Sequence, residues 1–351
     1  MERFEKVSCA EMIEKLILAV VLLLGWKALA EEMRWESSPD HTLVTQIGIQ
    51  VPSLGMSIKG AENQVPELQY KPNSPTRTYL GLSYDNIGFS MAFANPVPKD
   101  KETYYGTSTV TDYHLIFYGV QHSYGFFYQN YSGYYIDNSQ SVNSNLQDDQ
   151  PRLQRSDLTT QHYGMEYYYT LDPEKFSLES AYGHSTRQII TGSSWVGILT
   201  IANTRISADR SIIPSSFASS YGDLKYFEGG DFLSVDPGLG YGGTLAYGDF
   251  YLAGLATLSL GLQRQEFQLG NSKIDHWVGN NTGNVKVSFG YNGKKYFSGF
   301  QVEGLVTNIP INQVVFSANQ YQALLFVGLR TFDFPIPWLD RFNDWFESKN
   351  Q

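Results

Sequence analysis

In "TYLGLSYDNIGFSMAFA", residues 78–94, large side chains take every second position, and no other feature of the chain constrains its folding as much. Leu80, Leu82 and Tyr84 oppose Tyr79, Gly81, Ser83 and Asp85; then Ile87, Phe89, Met91 and Phe93 oppose Gly88, Ser90, Ala92 and Ala94. A period of two belongs to β-strands that separate two environments. A turn at Asp85-Asn86 makes these two runs a hairpin.

The pattern recurs down the chain. Tyr163, Met165, Tyr167, Tyr169 and Leu171 oppose His162, Gly164, Glu166, Tyr168 and Thr170. The run "FSLESAYG", residues 176–183, reads as the hairpin partner of that strand across Asp172-Pro173-Glu174. Further on, Phe250, Leu252, Leu258, Leu260 and Leu262 oppose Tyr251, Ala253, Thr257, Ser259 and Gln263, and Asn292-Gly293 joins two more alternating runs. With residues 110–120, 123–133, 194–206, 234–246 and 322–332, this gives about twelve strands, mostly of roughly 9–13 residues, the length of tilted membrane-spanning strands. Residues 137–157, 207–231 and 265–282 read as long connections.

Period two does not orient the two faces, because a soluble lipocalin-like barrel alternates too. The polar face decides, since His114, Glu166, Glu179, Lys286, Glu303 and Arg330 sit there among Gly, Ala and Ser. A soluble surface would carry more Lys and Glu and fewer small residues. The expectation is an all-β fold, an antiparallel transmembrane β-barrel of about 12 strands over residues 31–334, with apolar groups toward lipid and polar groups toward the lumen. His114, His162, Glu166, Glu179, Arg205, Lys286, Glu303 and Arg330 are the candidate lumen-lining residues. In residues 194–206, Val196, Ile198, Ala202 and Ile206 are expected to face lipid, and Asn203 and Arg205 the lumen.

Composition agrees with strands and turns: aromatics are 15% of residues, with 25 Tyr, against 17% charged residues and 32 Gly. The net charge of −10, without a Lys/Arg run, excludes a nucleic-acid partner. The single cysteine, Cys9, excludes disulfides and thiolate metal sites. "LILAVVLLLGW", residues 16–26, followed by Ala28-Leu29-Ala30, reads as a secretory signal peptide over 1–30, with Met12 a better start than Met1. An uncleaved anchor is the alternative. At the other end, "WLDRFNDWFE" places Trp338, Phe342, Trp345 and Phe346 on one face of a short amphipathic helix within 335–351, at the membrane interface, across the mouth, or packed on the barrel.

Catalytic chemistry finds weak support. Gly192-Ser193-Ser194 lacks the second glycine of a nucleophile elbow and precedes a strand instead of a helix. His184 and Ser185 are adjacent, so in a strand they would point to opposite faces. His162 and Glu166 lie roughly 13 Å apart in a strand, too far to share an ion. No cofactor, metal or catalytic residue is expected. The functions open to such a chain are a small channel or transport-related barrel, a structural or surface-binding barrel with a plugged lumen, and an outer-membrane hydrolase.

"YKPN" at 70–73, "YLGLSYDNIGFSMAF" at 79–93, and "TGSSWVG" leading into "ADRSIIP" at 208–214 together resemble the bacterial family of domain of unknown function 4421. Lys71 and Thr191 stand where that family favours Arg and Ala. The resemblance, from about Thr42 to Phe332, implies an exported outer-membrane β-barrel of a Gram-negative bacterium. Outer-membrane lipids and the outer-membrane assembly machinery are its implied partners. It brings no catalytic residues with it.

Overall fold

The protein is described here from a computed structural model, which covers residues 35–59, 67–142, 147, 150–270, 272–311 and 314–350. The expected signal peptide and Cys9 lie outside the described residues. Twelve antiparallel strands close into one barrel. They are β1 (Leu43–Lys59), β2 (Arg77–Tyr84), β3 (Ile87–Ala94), β4 (Thr109–Phe117), β5 (His122–Ile136), β6 (Gln154–Thr170), β7 (Gly192–Ser207), β8 (Gly229–Tyr247), β9 (Phe250–Leu269), β10 (Ser272–Asn292), β11 (Tyr296–Ile311) and β12 (Val314–Thr331). Each pairs with its chain neighbour, and β12 closes the ring on β1 in a ladder from Thr331 opposite Leu43 to Val315 opposite Lys59. Closure leaves no open sheet edge, the condition for strands to cross a bilayer.

The outer face bears out the expected orientation. Ile47, Ile49, Val51, Leu82, Phe93, Phe126, Leu258, Leu260 and Leu262 are all exposed. On β9 the apolar face begins at Phe250 and ends at Leu262; Arg264 and Glu266 follow it. Trp277 lies opposite Arg264, and Tyr247, Phe250 and Tyr296 ring the other end as exposed aromatics. Aromatic girdles mark both limits of an apolar band. At about 3.4 Å per residue and about 40° of tilt, the seven residues of β9 beyond Leu262 carry the wall roughly 18 Å past the band.

The two ends differ. The start of β1, the end of β12 and the connections 85–86, 118–121, 248–249 and 293–295 lie at one end; 95–108, 137–153 and 208–228 lie at the other. At the long-loop end the short strands β2, β3 and β4 stop early. The strand Leu68–Lys71 takes their place, pairing with β1 at Tyr70 opposite Met56 and with β5 at Lys71 opposite Tyr135. One strand thus replaces three, and the ring narrows. Into this neck fold residues 208–228, and Ile212, Ile213, Tyr221, Leu224 and Phe227 pack on Met56, Leu68, Tyr134, Phe232 and Phe267.

Two expectations need correction. Residues 176–183 are not a strand; they include a turn of π-helix, Glu179–Gly183, and the true partner of β6 is β7. Residues 265–282 are not a long connection, because β9 runs to Leu269 and β10 begins at Ser272. Their charged outward positions reflect a wall that continues above the apolar band. The C-terminal helix, α1 (Pro337–Asn350), packs on the short-turn rim through Phe342 against Phe117, and leaves Trp338 and Trp345 exposed.

Candidate functional site

The segment between β6 and β7, residues 171–191, crosses the short-turn mouth. Phe176, Leu178 and Ala181 pack with Tyr118, Val196, Tyr251 and Leu255. Gly242 makes room for this packing, since a Cβ there would stand 2.6 Å from the Phe176 ring. Residues Thr186–Gln188 pair with the N-terminal strand Trp35–Ser37. A loop with this many buried apolar side chains is a plug, not a surface connection.

His184 holds the far side of the plug. Its ring stacks on Phe297 at 4.9 Å, lies edge-on to Phe326, and shares a 2.9 Å hydrogen bond from Nε2 with the Tyr251 hydroxyl. The backbone at His184 is left-handed, with φ 61°, which turns its carbonyl toward Arg330. Burial and the nearby Arg330 charge pull the imidazole down to about 3, so it is neutral across the physiological range. Arg330, fully buried, donates from Nε to the His184 carbonyl at 2.8 Å, from Nη1 to the Gly293 carbonyl at 2.6 Å, and from Nη2 to Asn292 Oδ1 at 2.6 Å. Its guanidinium lies over the Phe297 ring. Arg330 thus ties the plug to β12 and to the β10–β11 turn; it is a clamp, not a wall of open lumen.

Above the plug lies a polar chamber of about 220 Å³. Leu178 and Tyr182 of the plug line its floor, and the apolar cluster of 208–228 lies above it. Three clusters of side chains line it. On one wall the Asp112 carboxylate accepts from His114 Nε2 at 2.8 Å and from Gln129 Nε2 at 3.3 Å, with Arg77 Nη1 at 3.6 Å. On the opposite wall Glu303 accepts from Gln322 Nε2 at 2.9 Å and Asn284 Nδ2 at 3.3 Å, and Lys286 Nζ lies 3.6 Å away. Gln322 in turn accepts from Gln50. Between them, the Tyr168 hydroxyl donates to Glu166 Oε2 at 2.8 Å, and His162 Nδ1 lies 2.9 Å from Thr204 Oγ1.

The structure therefore brings His114, His162, Glu166, Lys286 and Glu303 to one chamber. Glu179 lies elsewhere, on the plug and facing the short-turn rim. Arg205 is not a lumen residue. It is exposed on the outer face of β7, and its Nε donates to Asp231 Oδ1 at 2.7 Å. Register explains this: Ile198, Ala202 and Thr204 stand opposite the inward Tyr168, Gly164 and His162, so Asn203 and Arg205 must point outward. Val196 packs on the plug and Ile206 on the upper cluster, which reverses the usual polarity of the two faces in this strand. Sequence reasoning missed Arg77 and Asp112, although both are in phase with Tyr79 and His114 on the polar face.

A family model described as "Domain of unknown function (DUF4421)" matches residues 37–330. The chain belongs to this family. No curated protein matches it. Among solved structures it is similar to the outer membrane protease OmpT from Escherichia coli, at 8% identity and TM-score 0.36, over 84% of this chain and 99% of that one. The Pseudomonas putida toluene transporter TodX is similar at 8% identity and TM-score 0.30, over 83% and 90% of the two chains. Ail, the attachment invasion locus protein of Yersinia pestis, is similar at 10% identity and TM-score 0.24, over 82% and 99%. This DUF4421 member thus has the closed β-barrel fold, with the strand Trp35–Ser37 and α1 at its short-turn end and its long loops at the other.

Proposed function

We propose that this protein is a plugged outer-membrane barrel that works through its projecting wall and outer loops, and not an open diffusion pore. The observation that carries this reading is the Arg330 clamp, which joins the His184 carbonyl of residues 171–191 to Gly293 and Asn292 of the barrel rim and so holds the plug across what we take as the periplasmic mouth. The wall above the apolar band supports an outward role. It carries the pairs Arg205–Asp231, Arg264–Asp275 and Lys273–Glu266 on its outer surface. Export through the 1–30 signal peptide, folding by the outer-membrane assembly machinery, and lipid contact along the exposed band complete the proposal.

A gated transporter is the second reading, favoured by the polar chamber, whose side chains would offer a small polar solute both donors and acceptors. The hydrolase reading loses ground. Ser194 Oγ is engaged by the Asp172 amide and the Trp195 carbonyl, and Ser185 Oγ makes no hydrogen bond to His184. Liposome swelling separates the first two readings: proteoliposomes of native protein should exclude small sugars as tightly as protein-free vesicles. Swelling at rates typical of porins would overturn the plugged reading.

A further inference from the structure

At the short-turn rim, outside the chamber, three elements remote in sequence converge. His41 precedes β1, Asp85 lies in the β2–β3 turn, and Asp340 is in the first turn of α1. One ligand atom from each lies within 4.8 Å of the other two. His41 Nδ1 and Asp340 Oδ1 are already 2.9 Å apart. Asp85 accepts from the Thr42 amide through Oδ1 at 3.0 Å and from Asn343 Nδ2 through Oδ2 at 3.3 Å. These contacts alone could describe a helix held by hydrogen bonds.

Two further observations point to a ligand. The cavity here, about 420 Å³, is lined by Asp40, His41, Asp85, Glu179 and Asp340, and among the described residues no Lys or Arg lines it. Asp40, Asp85 and Asp340 therefore face it with His41 as the one cationic partner among the described lining residues. Asn343 and Ser185, 5% and 2% exposed, line the same cavity, and Asn343 Oδ1 and Ser185 Oγ are buried there without a hydrogen-bond partner. Buried oxygen acceptors without donors, in an acid-lined cavity, are the complement of a cation.

We propose that His41, Asp85 and Asp340 bind a divalent first-row transition metal of the Zn²⁺ type, with Asn343 Oδ1 as a fourth oxygen donor. One imidazole nitrogen with two carboxylates suits Zn²⁺ better than Ca²⁺ or Mg²⁺, which take oxygen ligands throughout. Ligand atoms about 2.0–2.2 Å from Zn²⁺ stand a little over 3 Å from one another, so the cluster needs only a small contraction about the ion. On binding, the proton shared between His41 and Asp340 leaves to solvent and the metal takes its place. The metal would join the N-terminal segment, the barrel rim and the C-terminal helix beside the plug. This proposal does not depend on whether the barrel conducts.

The test uses full-length mature protein, treated with chelator and folded in detergent. Calorimetric titration with ZnCl2 should give one saturable site per chain, and Co²⁺ should produce the visible absorption of a site with a nitrogen ligand. His41→Ala and Asp340→Asn should each weaken Zn²⁺ binding by more than about tenfold, and the near-isosteric Asp85→Asn should do the same. An unchanged heat-dependent gel shift shows that each variant is folded. Saturation by Zn²⁺ that these substitutions leave unaltered would overturn the proposal, as would no saturable binding, or tighter binding of CaCl2 at the same residues.

Discussion

Replacing Arg330 with Met keeps most of its volume and removes its charge and every donor. The structure defines the cost. The His184 carbonyl, the Gly293 carbonyl and Asn292 Oδ1 each lose a buried donor. At about 1–3 kcal/mol for each buried acceptor left unpaired, the total is roughly 3–9 kcal/mol. Water entering the vacated space recovers part of it, and losing a buried charge recovers desolvation energy. Gly293 and Asn292 belong to the β10–β11 turn, so only the His184 share, about 1–3 kcal/mol, separates docked from undocked plug: a rise of roughly five- to 150-fold in the undocked population. Because the strand ladder is untouched, the loss should be local. Hydrogen exchange followed by mass spectrometry should show residues 172–191 of Arg330→Met exchanging far faster than native, with β8 to β10 unchanged. Arg330→Lys, which keeps the charge but not the fork of donors, should fall between them. Equal protection of 172–191 in native and Met variants that both show the folded gel shift would refute the clamp.

Other consequences are equally open to measurement. Gly242→Val places a side chain against Phe176, which should displace the plug at a cost of about 1–3 kcal/mol and raise exchange in 172–191 without unfolding the barrel. Asp112→Ala strands the buried Arg77 charge, so urea unfolding in detergent should show a loss of about 3–5 kcal/mol, largely restored in the Arg77→Met/Asp112→Asn double variant. Leu260→Arg, within the apolar band, should cost about 2–4 kcal/mol in lipid, whereas Glu266→Gln above the band should be near neutral. In the metal-free protein the hydrogen bond with Asp340 raises His41 above its ordinary 6.5, and bonds from Tyr84 and His41 lower Asp340 below its ordinary 3.8. The His41 contribution is complete below pH 6.5 and is lost as pH rises through its raised value. The Asp340 contribution is complete above pH 3.8 and is lost as pH falls through its lowered value. Docking of α1 should therefore be firmest between about pH 4 and 6.5, as read by protease resistance of the helix; resistance that rises steadily from pH 6 to 9 would contradict this.

Much of the barrel was legible because a bilayer imposes the same rule on every strand. Ile87, Phe89 and Phe93 face out and Gly88, Ser90 and Ala92 face in, as period two requires. The same rule put His114, Glu166, Lys286 and Glu303 on the inner wall. It failed where the lumen is not water. Val196 and Ile206 point inward because the plug and the upper cluster give them apolar partners, so a strand read as lipid-facing had its faces exchanged and Arg205 was misplaced. The alternation in 176–183 deceived for a related reason: Phe176, Leu178 and Ala181 are spaced to fit a buried plug, and nothing local distinguishes that from a strand. Residues 265–282 read as a connection because a wall above the membrane carries charge, such as Asp275, on its outer face and so loses the apolar alternation. The rim cluster could not be read at all, since His41, Asp85 and Asp340 meet only through ring closure and the docking of α1.

Single-channel recording in planar bilayers tests the central claim most directly, with native protein compared to a variant in which residues 176–183 are replaced by a flexible glycine-serine linker. The plugged barrel should give no steady current, and the variant should give long-lived conductance steps. Steady native conductance that the replacement does not change would show that residues 171–191 do not close the barrel.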